Sequence, residues 1–141
     1  QLVMGYWGGA SKRAYHHTAP SNHYYGLHEA LLILKEEGIE NAWRRHRENS
    51  AKLISKLKSQ LGLEPIVPDG ERIPHLLTIK VPEGIDEAKV RSELLAKHNL
   101  EIGGGLGDLA GKVWRIGLMG YNSNEKLVDF CVKSLKDVLK K

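Results

Sequence analysis

The run Gly103-Gly104-Gly105-Leu106-Gly107-Asp108-Leu109-Ala110-Gly111, followed by Lys112-Val113-Trp114-Arg115-Ile116-Gly117-Leu118-Met119, decides how the chain folds. A phosphate loop of the Walker A type would need glycine at 106 and a hydroxyl side chain at 113. The sequence has Leu106 and Val113 instead. Gly105 to Ala110 does match the dinucleotide pattern G-x-G-x-x-A. That pattern has meaning only where it opens a helix after a strand. Here a strand follows, so the glycine run reads as a hairpin-like connection, or as a loop whose bare backbone lets a ligand come close.

Lys112–Met119 itself alternates as a strand. Val113, Arg115 and Gly117 point one way, and Trp114, Ile116 and Leu118 the other. Arginine is costly to bury in so apolar a strand unless it is paired. Its guanidinium fork matches a carboxylate with two parallel hydrogen bonds. On spacing alone, an internal salt bridge or an edge-strand charge is the favoured reading of Arg115 over a ligand site.

Working outward from this strand, Leu100–Gly103 reads as a short strand and Asp86 as the cap of a helix to about His98, with Val90, Leu94 and Leu95 inward. His75–Val81, between Pro74 and Pro82, reads as another strand. The last helix is expected from near Asn122, with Glu125 three residues on as in a capping box, and Leu127, Cys131, Leu135 and Val138 inside. Upstream, Ile39 to about Leu61 reads as a long helix with Trp43, His46, Ser50, Leu53, Leu57 and Leu61 on one stripe. Gly62, Pro65 and Pro68 end it. A further helix from about Asn22 carries Leu27, Ala30, Leu31 and Leu34 on one face, and Gly38 suits its C-terminal cap. From Ile39 the order α-β-α-β-β-α predicts an α+β domain: a short, mainly antiparallel sheet with helices packed on one face.

Composition excludes several classes. At 141 residues, 41% hydrophobic and 27% charged, the chain has the make-up of one folded domain. The longest apolar run, Ala30–Leu34, is far too short to span a membrane. The lone Cys131 excludes an internal disulfide framework, and it reads as core rather than as a nucleophile. A net charge of +4 is interleaved along the helices except at Trp43-Arg44-Arg45-His46-Arg47, so nucleic-acid binding is not expected. Tyr15-His16-His17-Thr18 gathers hydroxyls and imidazoles that could serve phosphate, proton transfer or metal, but His23 and His28 are poorly spaced to complete a metal site, and none is expected. The first residues contain no secretory signal, and Gln1 reads as a start in mid-protein.

Three stretches taken together resemble one family: Ala14-Tyr15-His16-His17-Thr18-Ala19-Pro20, then Gly38-Ile39-Glu40-Asn41-Ala42-Trp43-Arg44-Arg45-His46-Arg47, then Glu101–Gly107 with Gly111–Gly120. In this order and spacing they are similar to the C-terminal part of the alanine–glyoxylate (serine–pyruvate) aminotransferases, class V enzymes of fold type I that use pyridoxal 5'-phosphate. The resemblance implies that residues 1–37 end the large cofactor domain and that 38–141 form the small domain. It implies that Arg115 binds the substrate carboxylate. It implies that Tyr15 and Thr18 bind the cofactor phosphate of the neighbouring subunit, hence a homodimer. The lysine that forms a Schiff base with the cofactor would lie upstream of Gln1, so the piece alone is expected to be inactive.

The partners implied are an amino acid such as alanine or serine and a 2-oxo acid such as glyoxylate or pyruvate. Similar C-terminal domains occur in transaminases of larger amino acids such as hydroxykynurenine. The implied location is intracellular, in a peroxisome, a mitochondrion or the cytoplasm. The contrasting reading is a stand-alone interaction module that offers its Trp43–Arg47 face to an acidic partner.

Overall fold

The computed structural model describes residues 17–140. The chain divides into two units, Gln1–Gly38 and Ile39–Lys141. In the first, helix α1 (Ser21–Glu37) carries no buried residue. Its expected apolar face is there, but Leu27 and Leu31 are exposed, as are Tyr24, Tyr25, Leu32 and Ile33. Gly38 follows with φ 83° and ψ 130°, a backbone setting that a side chain would strain, although it is not the left-handed helical cap expected.

The second unit is built on a three-stranded antiparallel sheet in the order β1-β3-β2: β1 is Leu76–Lys80, β2 Gly103–Gly104 and β3 Val113–Gly117. The register pairs Thr78 with Arg115 and Ile79 with Trp114 on one side of β3, and Gly103 with Arg115 on the other. Along the outer edge of β1, residues 64–66 add bonds from Ile66 N to Thr78 O and from Lys80 N to Glu64 O.

Helices α2 (Ile39–Lys56), α3 (Glu87–His98) and α4 (Glu125–Leu139) supply the apolar surfaces for the core. Leu53 and Leu57, Val90 and Leu94, and Val128, Val132 and Leu135 meet the inward face of the sheet: Leu77, Ile79, Trp114, Ile116 and Leu118. One core built this way, with helices against a small antiparallel sheet, is the α+β arrangement that the order of elements implies.

Three boundaries and two burials depart from the expectation. The second helix is α-helical to Lys56, and Leu57–Leu61 continue as a π-helical turn closed by Gly62 in the left-handed conformation. Trp43, expected on the inner stripe, is 55% exposed, and Leu95 is also exposed. The strand read at Leu100–Gly103 is only Gly103–Gly104. The last helix is capped by Asn124, whose side chain accepts from Leu127 N at 2.9 Å, two residues later than Asn122. By contrast Asp86 caps α3 as expected, accepting from Lys89 N at 3.0 Å. No described helix is long and apolar enough to cross a membrane.

Candidate functional site around Arg115

β3 is the central strand, so Arg115 is not an edge charge. It lies on the face opposite Trp114, half-buried. Its Nε donates to the Gly104 carbonyl at 2.7 Å. Among the described residues no carboxylate pairs with it. Neither bland explanation that spacing allowed, edge charge or internal salt bridge, describes this side chain. A guanidinium carries five N–H donors, four of them on the two Nη atoms. With Nε engaged, those four remain for an acceptor arriving end-on, and a planar oxyanion with two oxygens is the natural fit.

The local sequence builds this setting. Gly103, the cross-strand partner of Arg115, has no side chain, and the guanidinium lies over it: a Cβ there would be 3.4 Å from Nη2 and 3.5 Å from Nε. Gly117, two residues along the same face, leaves the other flank bare except for Met119. Beyond Gly104 the chain folds tightly on itself. A Cβ on Gly105 would sit 1.8 Å from the Leu109 carbonyl oxygen, so only glycine allows this backbone-on-backbone contact. A short 3-10 turn, Gly107–Leu109, and the bond from Lys112 N to Leu109 O return the chain into β3. The glycine run is therefore a hairpin connection between β2 and β3, and a tightly closed one.

The turn after β3 is tied to α2 by polar side chains. Arg45 Nη1 donates to the carbonyls of Gly120 and Ser123 at 2.7 and 2.8 Å, and Asn49 Nδ2 donates to Ser123 O at 3.0 Å. His46 accepts from Gly120 N through Nε2 at 3.1 Å, while its Nδ1 lies 2.7 Å from Ala42 O. This places the proton on Nδ1, and the ring reads as a hydrogen-bonded structural histidine. Burial pushes the Cys131 thiol up to about 12, so it stays protonated and unreactive at neutral pH.

Thr18 lies three residues before α1 and is exposed. Its hydroxyl has no hydrogen-bond partner among the described residues. No side chain caps α1, and no acidic residue stands in its first turn. An exposed hydroxyl near a helix N-terminus that no described side chain caps suits an anion such as a phosphate. Tyr15 and His16 lie outside the described residues.

Residues 5–130 match the family model described as Aminotransferase class-V. The chain belongs to the class-V aminotransferase family. Among curated relatives, it is 43% identical over 141 residues to the alanine–glyoxylate aminotransferase of Callithrix jacchus, covering 99% of this chain and 34% of that protein. It is 38% identical to the (S)-ureidoglycine–glyoxylate transaminase of Bacillus subtilis, over 95% of this chain and 32% of that one. Among solved structures, an alanine–glyoxylate aminotransferase from Nostoc superposes with a TM-score of 0.88 at 48% identity, covering 98% of this chain and 36% of that one. A pyridoxamine–pyruvate aminotransferase from Mesorhizobium loti superposes with a TM-score of 0.81 at 25% identity, over 92% and 33% of the two chains. This class-V chain thus spans about a third of the length of the relatives it matches.

Two features around Arg115 were not read from the sequence: the Gly104 carbonyl that orients it, and the Glu87–Arg91 pair packed behind that glycine. The i,i+4 spacing of Glu87 and Arg91 on α3 is visible in the sequence. What hides their connection to Arg115 is the turn of chain between them.

Proposed function

We propose that this chain is the C-terminal third of a pyridoxal-phosphate-dependent aminotransferase, and that Arg115 is the anchor for the substrate's α-carboxylate. The observation that carries the reading is a half-buried guanidinium on the central strand, held by one backbone carbonyl and facing no carboxylate among the described residues. Arg115 would bind the amino acid or 2-oxo acid end-on through its Nη atoms and so orient the reacting carbon. The glycines at 103 and 117 leave room for that approach.

Thr18, and Tyr15 beside it in sequence, would hold the cofactor phosphate of a neighbouring subunit in a homodimer. The exposed hydroxyl of Thr18, without a partner among the described residues, and the acid-free start of α1 support this. Bound pyridoxal phosphate supplies the electrophilic carbonyl and the electron sink. No lysine of this chain is assigned the role of anchoring it. In this reading residues 1–37 end the large domain, which fits a helix with six large apolar side chains exposed, and 38–141 form the small domain.

Glyoxylate appears in the names of both curated relatives above, so we take it as the acceptor, with alanine or serine as donor. Such an enzyme would work inside the cell, in the cytoplasm, a mitochondrion or a peroxisome. The test is Arg115→Lys in the full-length protein. Lysine keeps the charge and loses the fork. Losing one charge-assisted hydrogen bond costs about 1.5–3 kcal/mol, so the KM for alanine should rise roughly ten- to a hundredfold. An unchanged KM would remove Arg115 from the site.

A further inference from the structure

The carbonyl that orients Arg115 belongs to a piece of chain with no side chains of its own to hold it. β2 is two residues long, lies at the edge of the sheet, and consists of Gly103 and Gly104. Glycine has the widest backbone freedom of any residue, and neither glycine has a side chain to fix it. Something else has to hold the Gly104 peptide.

That support comes from α3. A Cβ on Gly104 would sit 3.0 Å from Glu87 Oε1, 3.3 Å from Arg91 Nε and 3.4 Å from Arg91 Cζ. The two side chains therefore lie close against the glycine. They also hold each other, because Arg91 donates to Glu87 through Nε at 2.5 Å and Nη2 at 3.2 Å. Glu87 is itself anchored: it is buried, and its main-chain carbonyl accepts from Trp114 Nε1 at 3.3 Å. Trp114 precedes Arg115 and is the cross-strand partner of Gly104. One glycine peptide is thus backed by the Glu87–Arg91 pair and, through its carbonyl, holds the guanidinium of Arg115. The bond to Glu87 also raises the pKa of Arg91.

We propose that Glu87 and Arg91 are positioning residues for Arg115, acting through the Gly104 peptide and setting how tightly the substrate carboxylate is held. This rests on the reading of Arg115 as the carboxylate anchor. Without the pair, Gly104 can shift or rotate, Arg115 Nε loses its fixed acceptor, and the guanidinium samples conformations that do not present both Nη atoms. The loss falls on binding, because neither side chain touches the reacting atoms.

The experiment compares Glu87→Ala, Arg91→Ala, Glu87→Gln and Arg115→Lys in the full-length holoenzyme with alanine as donor, alongside a crystal structure of Glu87→Ala. Expected for Glu87→Ala is a five- to tenfold rise in KM with kcat within twofold, and an Arg115 side chain displaced from the Gly104 carbonyl. Arg91→Ala should move KM the same way by a smaller factor. Glu87→Gln keeps the volume and an acceptor for Arg91, and should recover most of the loss. If KM stays put in both alanine variants while Arg115→Lys raises it, the positioning role is overturned and the anchor reading survives. It is equally overturned if Glu87→Ala lowers kcat and the melting midpoint together while Arg115 remains on Gly104. If Arg115→Lys leaves KM unchanged, the anchor reading fails and the proposal falls with it.

Discussion

Trp114 and Arg115 are neighbours in the same strand with opposite fates. Trp114 faces the helices, is fully buried, and satisfies its indole N–H on the Glu87 carbonyl. Arg115 faces the other way, is half-buried, and keeps four of its five donors uncommitted among the described residues. Both lean on the same short backbone, since Gly104 is the cross-strand partner of one and the hydrogen-bond partner of the other. On the inner face the indole donor is spent on structure, whereas on the outer face binding capacity is held in reserve. Adjacent residues can serve these two ends because a strand alternates its faces with period two.

The sharpest way to break this contrast is to empty the inner position. Trp114→Ala removes a fully buried indole beside Leu77, Ile79 and Ile116, and should lower the unfolding free energy by about 3–5 kcal/mol in a denaturant titration. Arg115→Lys should leave that free energy within roughly 0.5 kcal/mol, as expected of a substitution away from the core. If the arginine variant were as unstable as the tryptophan one, the division between the two faces would be wrong.

A smaller effect tests the loop that joins the strands beneath both side chains. Gly105→Ala places a methyl group 1.8 Å from a backbone oxygen. The Leu109 carbonyl must move, and the cost should be about 1–3 kcal/mol, as for other overpacked sites. Because Gly105 follows Gly104, the same change should also weaken substrate binding. A stable variant with unaltered KM would show that the loop can open without disturbing Arg115.

Much of this was legible in the sequence where local chemistry and tertiary packing agree. Asp86 capping α3, the alternation through Val113–Gly117 and the apolar side of α4 all follow from spacing. Trp43 departs from its stripe because helical periodicity marks a stripe without saying where along the helix the core ends. The cap of α4 was placed two residues early because Asn122 and Asn124 are both capping residues, and only the 3-10 turn at Gly120–Asn122 decides between them. Arg115 was visible as an anomaly, but whether it faced a partner was not, since an internal carboxylate could have come from any distant segment. Gly104, Glu87 and Arg91 were beyond reach for the same reason: they meet Arg115 only after the chain has turned back on itself.

The smallest effect concerns the turn that follows β3. Ser123 is fully buried, and its hydroxyl has no hydrogen-bond partner among the described residues. A buried hydroxyl without a partner keeps its desolvation penalty, of order 1–3 kcal/mol, with nothing to offset it. The position of the turn does not depend on that hydroxyl, because Arg45 and Asn49 both donate to the Ser123 main-chain carbonyl. Ser123→Ala keeps those bonds and removes only the orphaned oxygen. It should therefore be neutral to about 1 kcal/mol stabilising in thermal or denaturant unfolding, with KM unchanged. Asn49→Ala, which strips one of the two donors from the same carbonyl, should instead destabilise by about 1 kcal/mol. A loss of more than that in Ser123→Ala would mean that the hydroxyl makes a bond, and that the turn after β3 is held by this side chain as well as by backbone.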